Sequence, residues 1–213
     1  VDAAESVGAT YRGRPSGRGA WAAIYSFNGN KIITTGGGGM LLSDDEAMMV
    51  LCRKLASQAR EPFPWYEHER VGTHGRLGNI PAAIGVGQLR HLEDALRDKA
   101  AVWEAWQTRF ASRPWIHPMP TADYGVPNRW LTTVTLEGVD PFKVVEALVA
   151  KGIEARPLWK PMRLQPVFRA CDAVCSGVDE ALFQRGLCLP SGRNLAPETM
   201  DEIVQLLDSI ACQ

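Results

Sequence analysis

The sequence predicts an α/β protein, and three observations predict it. Short β-branched or apolar runs alternate with amphipathic helical periods over the first sixty residues. A long apolar stripe at helical spacing fills the middle of the chain, and the last third repeats strand, helix, strand and helix. With 213 residues, 46% of them hydrophobic, the chain is long enough to bury a core and to form one or two domains. A formal net charge of −1 gives no reason to expect nucleic acid or an anionic membrane as partner. No apolar run approaches the ~20 residues that a membrane-spanning helix needs. The five cysteines are scattered; Cys171 and Cys175 are four apart, but no histidine or second cysteine pair completes a zinc set. Reduced thiols, a cytoplasmic location and no metal site are the expectation.

Taken in order, Asp2 and Glu5 have the spacing of a helix capping pair, so from the residues alone Asp2 reads first as an N-cap. Residues 11–19, rich in Gly, Arg, Ser and Pro, read as a loop. A short strand is expected over 20–27, a second over the β-branched run 32–35, and a third over 40–42 after four glycines. Ser43 and Glu46 predict a capping box opening a helix that runs to about Gln58, with Met49, Leu51 or Cys52, and Leu55 on its apolar face. Residues 61–71 have no usable period and read as a loop. One long helical stretch is expected over 81–111, carrying Ile84, Leu89, Leu92, Leu96, Val102, Trp103 and Trp106. Beyond it lie a strand over 129–137 and a helix over 141–151, with Phe142, Val145, Leu148 and Val149 inward and Gly152 as its stop. Strands over 153–156 and 183–191 follow. A closing helix over 199–210 has Ile203, Leu206, Leu207 and Ile210 as its apolar face.

The candidate chemistry starts at Lys31, a lone lysine between the polar stretch Ser26-Phe27-Asn28-Gly29-Asn30 and the run Ile32-Ile33-Thr34-Thr35. Held at the mouth of a strand, its amine can act as a carbonyl-attacking nucleophile once desolvation or a neighbouring cation disfavours its charged form. An ordinary surface lysine is the alternative. The second candidate is 156–165, where Arg156 and Lys160 offer cations and Trp159 an indole that can stack, or where the three decorate a proline-broken surface strand.

The wording S-F-N-G-N-K-I-I-T-T-G-G-G-G-M resembles the cofactor-lysine segment of the DegT family of pyridoxal phosphate (PLP) sugar-nucleotide aminotransferases, closest to the branch that aminates 4-keto-hexoses carried on UDP. V-D-A-A-E at the start, R-P-L-W-K-P-M-R-L-Q at 156–165 and C-L-P-S-G at 188–192 are similar to other phrases of that family. The resemblance implies that Lys31 binds PLP covalently, that Ser26 binds its phosphate, and that Asp2 faces the pyridine nitrogen and keeps it protonated. It puts Glu5 at the ring hydroxyl or beside the substrate. In G-T-H-G-R-L-G-N (72–79), His74 stands where the family has an asparagine that reaches the PLP phosphate of the neighbouring subunit, while Arg76 and Asn79 are retained. A histidine can donate that bond; an unliganded loop histidine is the other reading. Gly75 and Gly78 depart from the family wording, and Arg163 replaces its usual histidine.

The resemblance implies a fold-type I PLP-dependent transferase: the C-terminal part of the large α/β domain over 1–97 and a small α+β domain over 98–213. The first residues match wording found near the middle of the family's polypeptide, so the chain is expected to be the C-terminal part of a longer enzyme. The implied activity is transfer of an amino group, from glutamate as donor, to the 4-keto sugar of a nucleotide-linked hexose in surface-polysaccharide or glycan precursor synthesis. The expected assembly is a homodimer whose active site is shared between subunits. Expected substrate contacts are Asn28, Arg76, Arg156, Trp159, Lys160 and Arg163. Sugar dehydration, for which relatives replace the lysine by histidine, is disfavoured by Lys31. An inactive or regulatory piece that binds a partner subunit is the alternative to catalysis.

Overall fold

The computed structural model describes residues 1–212. Two compact units emerge: Val1–Leu96 with Ala122–Asn128, and Arg97–Thr121 with Arg129–Gln213. No helix among the described residues is long and apolar enough to cross a membrane.

In the first unit β1 (Thr10–Tyr11) pairs antiparallel with β2 (Arg14–Pro15) and with the returning β6 (Gly125–Val126). The stretch expected as a plain loop is therefore a minimal hairpin, pinned by Arg12 N–H on Tyr124 O (2.7 Å) and by an edge-to-face contact of Tyr11 with Tyr124. Strands β3 (Ala23–Ser26) and β4 (Gly39–Leu42) form a second antiparallel pair, with Ser26 opposite Gly39. Asp2 makes a parallel bridge to Ile24. No helix follows Asp2: its Oδ1 accepts the Ala4 N–H (3.0 Å) and closes a turn, so the capping chemistry is present without the helix.

Helix α1 (Glu46–Ala56) is capped by Asp45, not Ser43. Asp45 accepts the Met48 N–H at 2.9 Å, and Ser43 instead accepts the Asp45 N–H and donates to Trp21 O. The Met48 N–H, helped by the Trp21 indole N–H, holds the Asp45 carboxyl below its ordinary value. The expected single helix over 81–111 is two, α2 (Asn79–Leu89) and α3 (Leu92–Phe110), interrupted at Arg90 and His91.

In the second unit four antiparallel strands lie in the order β5 (Ile116–Pro118), β7 (Thr132–Leu136), β9 (Gly186–Leu189) and β8 (Arg156–Pro157). The alternation of β7 reads directly as burial, with Thr132, Val134 and Leu136 inward. Helices α3, α4 (Pro141–Ala150) and α6 (Pro197–Ala211) supply Trp106, Val144, Leu148, Ile203 and Leu207 to one core. Helix α4 turns differently from expectation: Pro141, Val144 and Leu148 are buried, whereas Phe142 and Val149 are exposed. Phe142 packs edge-on against Phe183. That phenylalanine lies in helix α5 (Val178–Arg185), so the strand expected from residue 183 begins only at Gly186. The strand expected over 153–156 is β8, two residues long and displaced toward Pro157.

Candidate functional site

Lys31 lies in the connection from β3 to β4. Phe27 N–H donates to Gly38 O (3.0 Å), Thr35 N–H to Phe27 O (3.0 Å) and Lys31 N–H to Asn28 O (3.1 Å). Thr34 Oγ1 adds a bond to Phe27 O (3.1 Å). The run 32–35 is thus a folded loop and not the expected strand. Ile32, Ile33 and Thr35 are buried, so the β-branched side chains anchor the loop by packing instead of entering a ladder. The glycines make the closure possible. A Cβ at Gly39 would sit 2.3 Å from Tyr25 O, and Gly38 has φ +81°.

With its backbone fixed this way, the Lys31 side chain is only 12% exposed, and its Nζ lies 3.0 Å from Glu5 Oε1. Glu5 is held in turn from behind: the buried Asn128 amide donates to Glu5 O (2.8 Å) and Val7 O (2.9 Å). Asp2, three residues before Glu5, lies beside Ile24, and β3 ends two residues later at Ser26. Ser26 Oγ accepts the Asn28 N–H (3.3 Å) while Asn28 itself is exposed. The structure therefore brings Asp2, Glu5, Ser26, Asn28 and Lys31 onto adjoining turns of one unit. A part-buried amine with a carboxylate at hydrogen-bond distance can pass a proton between them.

His74 and Arg76 are exposed on the segment after α1. Thr73 N–H to Leu55 O (2.9 Å) and Gly75 N–H to Ala56 O (2.9 Å) fasten that segment to the end of the helix. In the second unit Arg156 and Lys160 are exposed, and the Arg156 guanidinium carbon stands 5.8 Å from the centroid of Trp159, itself 53% exposed. Arg163 is committed within the chain: it bonds Glu180 and lies 3.9 Å from Asp179. Glu180, followed by the other acidic neighbours, raises the guanidinium above its ordinary value. Trp159, Lys160, Met162 and Phe168 line a cleft of ≈970 Å³. The sequence reading missed two features. One is the pairing of Glu5 with Lys31, which spans 26 residues and leaves no local pattern. The other is Trp130, whose ring stands 6.0 Å from that of Trp159; a bulky aromatic at the mouth of a predicted strand was the available sign.

The chain is similar to solved structures that share this fold. It superposes on Spr1654 of Streptococcus pneumoniae, solved in PLP, PMP and apo forms, with a TM-score of 0.88 at 23% identity, covering 99% of this chain and 56% of that one. The TM-score is 0.87 at 21% identity for Helicobacter pylori PseC, described as an aminotransferase involved in the biosynthesis of pseudoaminic acid, with 100% and 59% covered. The fold is thus that of an α/β PLP-dependent transferase. The chain belongs to the DegT/DnrJ/EryC1/StrS aminotransferase family, which it matches over residues 1–208. Among curated relatives it is 44% identical to EpsN of Bacillus subtilis (97% of this chain, 54% of EpsN) and 37% identical to GDP-perosamine synthase of Caulobacter vibrioides (98% and 57%). It spans little more than half the length of these relatives.

Proposed function

We propose that the chain carries the lysine and the sugar-binding portion of a PLP-dependent aminotransferase that delivers an amino group, from glutamate, to the 4-keto sugar of a nucleotide-linked hexose. The observation that carries this reading is the Lys31 Nζ to Glu5 Oε1 contact of 3.0 Å on a loop closed by glycines. The residues present fit PLP: an amine that is only 12% exposed for the covalent bond, the Ser26 hydroxyl for its phosphate, and the Asp2 carboxylate for its pyridine nitrogen. When bound, PLP supplies an electron sink for the carbanion formed at the amino donor. Glu5 takes the proton that Lys31 must release before its amine can act. Nζ of Lys31 then removes the Cα proton of the donor and, in the return half, delivers a proton to C4 of the sugar. Such tethered proton transfer contributes about 10²–10⁴-fold to rate.

The first unit is read as the cofactor-binding portion and the second as the small C-terminal domain. Arg156 and Lys160 are assigned to the diphosphate and Trp159 to stacking, with Asn28 and Arg76 as further substrate contacts. Arg163 is the weakest of the six, because its guanidinium is already bound to acidic partners of α5. The reading includes a cytoplasmic homodimer in which His74 serves the phosphate of a second copy, and the exposure of its ring supports that role.

The test is to incubate the chain with PLP, reduce with borohydride and map the pyridoxyl group by mass spectrometry. The label is expected on Lys31 and absent from Lys31→Ala. A folded chain with no label at Lys31 sinks the reading. That result favours the second one, a partner-binding piece, to which the exposed apolar residues Val50, Ile84 and Val86 lend support.

A further inference from the structure

The ammonium of Lys99 is an expensive feature with no part in the proton chemistry above. Lys99 is 7% exposed on α3, and no carboxylate pairs with it among the described residues; the adjacent Asp98 is taken by Arg193 (Nε to Oδ2, 2.9 Å). Its Nζ donates instead to two carbonyls, Trp130 O at 2.9 Å and Ser191 O at 2.6 Å. A buried charge satisfied only by carbonyl dipoles costs more than a methionine of similar length in the same place. What the charge does is join two chain segments. Ser191, also buried, accepts the Thr132 N–H on its Oγ (2.7 Å) and donates to Leu189 O (2.8 Å), while Trp106 Nε1–H donates to Pro190 O (3.0 Å). The segments entering β7 and leaving β9 are thereby fixed to α3 and to one another.

The fixed segment carries Trp130, 8% exposed, and the Trp159 ring lies against it at 6.0 Å and 34°. Trp159 is 53% exposed, and the Arg156 guanidinium carbon stands 5.8 Å from its ring centroid. A buried indole, a half-exposed indole and an exposed cation form a graded series in which only the inner end is anchored. An indole backed by another indole loses rotational freedom before any ligand arrives, and that entropy is then not lost on binding. We propose that Lys99 and Trp130 are positioning residues that preset the Trp159 ring to stack on the base of a nucleoside diphosphate whose phosphates meet Arg156 and Lys160. This rests on the nucleotide-sugar reading above and adds to it the residues that orient the stack.

The test measures binding of UDP, GDP and dTDP to the chain by calorimetry and follows 5-fluorotryptophan-labelled chain by ¹⁹F NMR, with the Trp159 resonance assigned from Trp159→Phe. The expected result is that Trp159→Leu weakens the best-bound nucleotide by about 10- to 100-fold, the range for loss of a base–aromatic stack. Lys99→Met and Trp130→Leu weaken it by about 3- to 10-fold, the range for one aromatic pair, and both broaden the Trp159 resonance, while Trp130→Phe stays within about 2-fold of the parent. A merely structural role would move none of these selectively. If Lys99→Met and Trp130→Leu bind like the parent while Trp159→Leu does not, the positioning role is overturned and the nucleotide reading stands. If no nucleotide binds the parent chain, or Trp159→Leu binds equally well, both are overturned. Should Lys99→Met fail to fold by circular dichroism, the contrast between Trp130→Leu and Trp130→Phe decides.

Discussion

The two units solve the burial problem differently. In the second, α4 buries Pro141, Val144 and Leu148, and α6 buries Met200, Ile203, Val204 and Leu207 around the fully enclosed Trp106. In the first, neither α1 nor α2 buries a single residue. Helix α2 (N-I-P-A-A-I-G-V-G-Q-L) has almost no polar face, which is the composition of a helix covered all round. Yet Ile80, Ile84, Val86 and Leu89 are exposed by 77, 47, 56 and 57%. The buried residues of the first unit are few; Ala3, Ala23, Ile32, Ile33 and Thr35 lie at or near the loop that holds Lys31, and Ala59, Glu61, Ala95 and Asn128 lie elsewhere. The difference teaches that order at the lysine loop comes from local hydrogen bonding and a small anchor, whereas order in the second unit comes from a closed core.

The sharpest way to break this comparison is in the closed core. Trp106→Ala should destabilise the second unit by about 3–5 kcal/mol, the usual cost of deleting a buried tryptophan, read as a shifted denaturant midpoint; a loss below about 1 kcal/mol would mean the core can collapse around the gap. A milder effect is expected from acid on the first unit. Lys54 bonds Glu61 and holds its carboxyl below the ordinary 4.5. The folded chain then binds that proton less readily than the unfolded one. The stabilisation is therefore complete above pH 4.5 and is lost as pH falls through the depressed value. The protection of the Ala59 amide, whose N–H bonds Lys54 O, measured relative to the intrinsic exchange rate, should fall over that range in the parent, and Glu61→Gln should remove that change in protection. The smallest effect belongs to the exposed helix. Ile84→Ser should change the stability of this chain by no more than about 0.5 kcal/mol, and a larger loss in thermal unfolding would show that α2 contributes more packing than its exposure indicates.

Much of this was legible in the residues, and particular elements show why the rest was not. The helices expected over 141–151 and 199–210 are found at Pro141–Ala150 and Pro197–Ala211, since apolar periodicity and a stop such as Gly152 are local signals, although the inward face of the first was not legible. The run 32–35 was read as a strand because burial and pairing leave the same β-branched signature; only the Thr35 N–H to Phe27 O closure distinguishes them. The interruption at Arg90 and His91 carries neither proline nor glycine, so nothing in the pattern announces it. For Lys31 the wording around it pointed to the chemistry, while its partner Glu5 was assigned to a different duty because a contact across 26 residues has no periodicity. Trp130 escaped notice because its importance depends on Trp159, 29 residues on, and on a lysine of another helix.

The return of Ala122–Asn128 to the first unit has a practical consequence for anyone wishing to divide the molecule. The polypeptide passes between its halves more than once, so no single cut releases either one whole. A fragment ending at Leu96 would leave the edge of Thr10–Tyr11 without the strand that pairs with it, and would take away the Asn128 amide that steadies the carbonyls of Glu5 and Val7. Dissection at the obvious seam would disturb the carboxylate beside Lys31 before any chemistry was measured.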